Sequence, residues 1–135
     1  MNKLSIAFII SLIAFVCLFS MGCTKHFVCK KVSTGDLEVT WYRESYISST
    51  RAFVSASSGW HDDIILDCAD GNITDIGTKK ETIIIKFYGE QKLGIYSHKT
   101  HYLNYMVKID TASYAEWTKV YQPEFYHKKG GYKGK

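Results

Sequence analysis

The segment Thr82-Ile83-Ile84-Ile85-Lys86-Phe87-Tyr88 most narrows the folds open to this chain. It is filled with β-branched and aromatic residues. Ile83, Ile85 and Phe87 fall on one side and Lys86 on the other, the two-residue period of a strand with one buried face. The same period recurs in Leu37-Glu38-Val39-Thr40-Trp41 and again at Tyr105, Val107 and Ile109. Weaker strands are expected at 51–55 and 64–68. Asp70-Gly71 reads as a type I′ hairpin turn, because that turn needs positive φ at both central residues, and 72–76 reads as the returning strand. Residues 77–81 and Gly89-Glu90 turn the chain again, and 93–97 continue the meander. Residues 57–63, rich in serine with Gly59, read as a loop.

One helix is expected, near the end. Ser113 and Glu116 have capping-box spacing, in which each side chain satisfies the other's orphan backbone N–H. Trp117, Val120 and Tyr121 would form its buried stripe, and Pro123 stops it. So short a helix is stable only when docked. The expected fold is therefore mainly β: a small antiparallel meander, either barrel or sandwich, with one short C-terminal helix.

The N-terminus constrains the compartment. Met1-Asn2-Lys3 is a short positive start, residues 4–19 are apolar and free of charge, and Ser20-Met21-Gly22-Cys23 follows. A charged start, an apolar run and a small residue before a cut are the parts of a secretory signal, and the run is short for a transmembrane helix. Phe19-Ser20-Met21-Gly22-Cys23 resembles a lipobox, the motif processed in bacterial lipoproteins, with Gly22 and Cys23 at its two most demanding positions and Ser20 where an aliphatic residue is usual. The resemblance implies cleavage before Cys23 and attachment of a diacylglycerol to its sulfur. It also implies a place in the cell envelope, on the outer membrane facing the periplasm where the source has two membranes, since Thr24 is no retention aspartate. The chain then divides into a signal peptide (1–22), a lipid-anchored tether (23–34), a β-rich domain (35–122) and a basic Gly/Lys tail (123–135).

Removing the signal, with Cys17, and lipidating Cys23 leaves Cys29 and Cys68. An even pair in an oxidising compartment reads as a disulfide, worth roughly 4 kcal/mol for a loop of this length; two buried thiols are the alternative.

Charge excludes one class of partner. Between Cys23 and Tyr121 there are 12 basic and 12 acidic residues, and the overall balance of +4 comes from the ends. A neutral domain gives no electrostatic footprint for nucleic acid. The tail lysines read as a solvated end, with contact to anionic phospholipid, lipopolysaccharide or wall polymer as the rival reading.

No catalytic set stands out. There is no nucleophile elbow, and adjacent Asp62 and Asp63 would splay rather than flank a bond. His98 and His101, with His61, Asp62 and Asp63, have the chemistry of a metal site. On a strand, however, their odd spacing points the two histidines to opposite faces, so they read as surface polar residues and no metal or cofactor is expected. What remains is a non-enzymatic binding or structural module of the envelope, with an envelope protein as partner. Ser58, Gly59, Trp60 and His61 are its candidate contact residues. Trp41 and Tyr102 join them only where exposed, and burial is expected for Trp41.

The alternative is an inhibitor or immunity protein against a secreted enzyme or toxin. Ser55-Ala56-Ser57-Ser58-Gly59 resembles the inhibitory loop of the membrane-bound inhibitors of c-type lysozyme, with Trp60-His61-Asp62 following where that family has a tyrosine.

Overall fold

A computed structural model describes residues 3, 5–11 and 24–121, with 5–11 helical. None of the described helices is long and apolar enough to cross a membrane. Residues 12–23 and 122–135 are not described, so the lipobox, Cys23, Pro123 and the basic tail lie outside the described residues.

Two open sheets face each other. The first holds β1 (Lys25–Thr34), β2 (Leu37–Ser45), β3 (Thr50–Ser58) and β4 (His61–Ala69) in sequence order, with β7 (Ile95–His98) added at the β4 edge, all antiparallel. The second holds β5 (Ile73–Lys79), β6 (Thr82–Phe87), β9 (Tyr105–Thr111) and β8 (His101–Tyr102) in that spatial order. The chain also forms a single turn of helix, α1 (Gln91–Gly94), and the capped helix α2 (Tyr114–Val120). The architecture is mainly β with a short C-terminal helix, as expected, and the open sheets make it a sandwich.

The alternating segments build the core. Leu37, Val39 and Trp41 of β2, Val54 and Ala56 of β3, and Leu66 and Cys68 of β4 are buried against Ile83, Ile85 and Phe87 of β6. Lys86 points the other way and reaches towards Glu116. Gly94 lies so close to Phe87 that a Cβ there would come within 2.7 Å of the ring, so only glycine lets α1 sit on the core.

Four expectations are corrected. First, Asp70-Gly71 is not a hairpin. Of the two, only Gly71 has positive φ, so the type I′ condition is unmet. The chain instead leaves one sheet for the other here, and β5 pairs with β6. Second, the second sheet is not a pure meander. β6 pairs in parallel with β9, through a connection that carries α1, β7 and β8. Residues 93–97 accordingly end α1 and enter β7 in the first sheet.

Third, residues 25–34 are no tether. They form β1, the edge strand, paired with β2 along its length apart from a bulge at Cys29. Its polar, basic composition suits an edge exposed to solvent. Lys30 and Thr34 reach the second sheet, at Asp75 and Thr78. Fourth, Cys29 and Cys68 do not form a disulfide. Cys68 is buried in β4, and β2 and β3 lie between it and Cys29. Three strand spacings separate the two by about 14 Å, twice the Cα separation a disulfide spans.

Four hairpins turn on two residues, and each has positive φ at the first: Gly35, Gly59, Lys80 and Leu103. Glycine adopts that conformation freely, whereas a side chain costs about 1 kcal/mol there. Lys80→Gly is therefore expected to raise the unfolding free energy by about 1 kcal/mol in urea denaturation. A loss of stability would mean that this turn does not hold Lys80 at positive φ. The cysteines give a second check. Burial pushes the Cys68 thiol up to about 12, and Cys29 is exposed. Alkylation of the native protein should label Cys29 and spare Cys68 until denaturant is added. A Cys29–Cys68 crosslinked peptide in a native digest would contradict the strand order.

Candidate functional site

Two features stand at opposite ends of the first sheet. The larger is an open pocket of about 810 Å³ where β1 begins and α2 ends. That volume falls within the range of small-molecule sites, about 300–1,000 Å³. His26, Phe27, Val28 and Cys29 form one wall, from β1. Trp41, Arg43 and Ser45 of β2 line its depth, and Lys119, Val120 and Tyr121 close the far side. The bulge at Cys29 helps shape that wall: Phe27 lies opposite Arg43 and Lys30 opposite Trp41, so one extra residue bends the strand between them.

The far wall depends on how α2 is held. Ser113 Oγ accepts from the Glu116 N–H at 3.2 Å, and the Glu116 carboxylate accepts from the Ser113 N–H at 2.7 Å, which completes the expected capping box. Trp117 Nε1 donates to the Gly71 carbonyl at 2.9 Å, and the Tyr121 hydroxyl donates to the Ile73 carbonyl at 2.6 Å. Tyr88, Tyr114, Trp117 and Tyr121 stack in a ladder, with the Tyr88 and Trp117 centroids 5.4 Å apart. The expected stripe thus docks the helix.

Two groups inside the pocket stand out chemically. Trp41 is 6% exposed, and its indole N–H is buried with no hydrogen-bond acceptor among the described residues. A buried donor left in that state costs about 1–3 kcal/mol. Arg43 is paired: its guanidinium donates to both oxygens of Asp70, at 2.7 and 2.5 Å. The Asp70 hydrogen bond raises the Arg43 pKa against the opposing effect of burial. The basic side chains among the described lining residues are His26, Arg43 and Lys119, and these residues include no carboxylate. His26 lies 3.5 Å from Glu44, and Lys119 forms no ion pair among the described residues.

The second feature holds the residues singled out from the sequence. Ser58, Gly59, Trp60 and His61 are not in a loop. Ser57 and Ser58 pair with Asp62 and His61, and only Gly59 and Trp60 turn the chain. Gly59, at φ +60°, makes so tight a turn available, and Trp60 at its tip is fully exposed. Tyr102, a candidate only where exposed, is 5% exposed and buttresses this hairpin by donating to the His61 carbonyl at 2.7 Å. The β8–β9 turn, with Leu103, stands beside it. Together they enclose a groove of about 220 Å³ lined by His61, Asp62, Asp63, Lys99 and His101.

The structure thus brings His61 and His101 to one groove, a proximity that nothing in the sequence indicated. His98 ends β7 and pairs with Leu66, outside that lining. Asp63 is engaged by Lys99. Among the described residues, no three ligand-type side chains come together in a metal-binding group. The large pocket was missed from the sequence. Its one local signal is an arginine, Arg43, following Leu37, Val39 and Trp41 on the inner face of a strand.

No protein-family model, characterised protein or solved structure matches the chain.

The cap on α2 gives a test of the pocket wall. Ser113→Ala should cost about 1 kcal/mol of stability, since it leaves the Glu116 N–H unsatisfied. Hydrogen bonds from Ser113 hold the Glu116 carboxyl below its ordinary value of 4.5. A lowered carboxyl stabilises the fold above that value, and the contribution fades as pH falls through the folded pKa. The loss measured in Ser113→Ala should therefore be larger at pH 7 than at pH 3. Equal losses at both would remove the charge from the cap.

Proposed function

We propose that the chain is a lipid-anchored protein of the cell envelope whose β domain is a non-enzymatic binding module. The observation that carries the binding role is the open pocket between β1 and α2, wide enough for a small molecule and walled by Phe27, Val28, Trp41 and Val120. The pocket offers apolar surface and a few polar groups, the usual make-up of a ligand site. The envelope location is supported by the resemblance of Phe19-Ser20-Met21-Gly22-Cys23 to a lipobox and by the apolar run before it.

A second reading concerns the other end. A fully exposed Trp60 on a two-residue hairpin is a rigid aromatic anchor of the kind enriched in protein-binding hot spots. It favours docking of a protein partner at that tip, which includes the inhibitor or immunity role.

Intact mass of the protein from its native host, before and after delipidation, tests the location. The expected mass is that of residues 23–135 plus a lipid. An unlipidated mass would remove the anchor. Native mass spectrometry of the same sample tests the pocket: a co-purifying small molecule is expected, and its loss in Trp41→Ala would locate it. Trp60→Ala should leave that ligand in place and weaken only a protein partner.

A further inference from the structure

Resting on the reading of Cys23 as the anchor, we infer that the pocket between β1 and α2 takes up a membrane lipid with an anionic head group, drawn from the leaflet in which the anchor sits. The ordering of the chain leads there. β1 begins at Lys25, so only Thr24 separates Cys23 from the sheet. A chain spans at most about 3.6 Å per residue, which keeps His26 within about 11 Å of Cys23. A lipid on Cys23 therefore holds the domain against the bilayer by the end where the pocket opens.

The surface at that end fits a membrane. Phe27 is 53% exposed, Val28 56% and Ile47 88%, the last at the tip of the loop joining β2 to β3. That loop leaves β2 beside Lys25, since Lys25 pairs with Ser45. Exposed apolar side chains gathered at one end of a domain mark an interaction surface, and a bilayer accepts them at head-group depth.

The charge at that end selects the head group. Its carboxylates are already engaged: Glu44 accepts from the Tyr46 hydroxyl and lies near His26, and Asp70 holds Arg43. Lys25 and Lys119 are left without ion pairs among the described residues. Lys119 stands on the pocket wall, so an anionic head would meet it while an acyl chain lies along Trp41, Phe27 and Val120.

Quenching by brominated acyl chains tests this on the full chain reconstituted in vesicles. Trp60→Phe with Trp117→Phe leaves Trp41 as the only indole, and Trp60→Phe alone controls for loosening of α2. Trp41 emission should be quenched strongly by brominated phosphatidylglycerol and weakly by brominated phosphatidylcholine. Lys119→Gln should lower the apparent affinity for phosphatidylglycerol about fivefold, the effect of one lysine near an anionic surface. Equal quenching by both lipids would overturn the anionic-head inference and leave the pocket reading standing. No quenching by either, with the protein on the vesicles, would overturn the inference and remove lipid as the pocket's ligand. Lipids extracted from the protein purified from native membranes give a second readout: anionic lipid should be enriched over the bulk membrane, and an unenriched profile counts against the inference.

Discussion

The short stretch where the chain passes from one sheet to the other holds the rest of the molecule in place. Each residue from Asp70 to Ile73 is tied to a distant part of the chain. Asp70 accepts from Nε and one terminal nitrogen of Arg43 in β2, and the Gly71 carbonyl takes the Trp117 indole of α2. Asn72 donates its side-chain amide to the Tyr88 carbonyl, and its own carbonyl accepts from the Tyr88 N–H. The Ile73 carbonyl takes the Tyr121 hydroxyl. A crossover of this kind leaves the pairing ladder, and its backbone groups need partners elsewhere. Here the Trp117 and Tyr121 side chains and the Tyr88 N–H supply them. The same bonds set where α2 lies and hence where the pocket wall stands. The crossover and the pocket are therefore one construction, and a change at Asp70 or Trp117 would be felt at both.

The direction of the strands gives the molecule two unlike ends. β2 and β3 have nine residues each, a span of about 27 Å. At one end lie the start of β1, the loop bearing Ile47, the last turn of α2 and the pocket. At the other lie the Gly59-Trp60 turn, Tyr102 beneath it and the groove of His61 and His101. On the proposed orientation the first end rests on the bilayer and Trp60 projects away from it by the length of a strand. Lipid binding at one end and partner docking at the other then do not compete for surface. Tyr102 adds to this: its hydroxyl satisfies a strand carbonyl at the tip, so the hairpin is braced from the opposite sheet rather than left to bend.

Local pattern was legible in the sequence, and partnership was not. Ile83, Ile85 and Phe87 face the core because a two-residue period leaves no other arrangement for them. Ser113 and Glu116 form their capping box because both partners lie within one turn of chain. Apart from residues 57–63, where a two-residue turn was read as a longer loop, the errors concern which segments meet. Asp70-Gly71 has the composition of a hairpin, yet the flanking strands belong to different sheets, and no local signal reports that. Residues 25–34 look like a tether because an edge strand with one neighbour tolerates lysine and serine as well as a linker does. Cys29 and Cys68 were paired by arithmetic, and two intervening strands separate them. The pocket was invisible for the same reason: its walls come from β1, β2 and α2, and the bonds of the crossover set α2 against the other two.

The loss of the tether also changes the physical meaning of the lipobox resemblance. With a flexible linker, a lipid anchor restricts where a domain can diffuse and says nothing about how it is turned. With Lys25 already fixed in the sheet, the anchor would act through one residue, and the domain could not rotate freely above the surface. The edge position of β1 then acquires a second consequence. An exposed edge strand invites pairing with another chain. β1 is linked on one side to β5, through Lys30 with Asp75 and Thr34 with Thr78, and on the proposed orientation the bilayer would cover its start. A strand in that position has little need of β-rich composition, because β2 and β5 already decide its neighbours on two sides, and the proposed anchor would decide a third. That accounts for how a stretch as polar as 25–34 comes to belong to the fold.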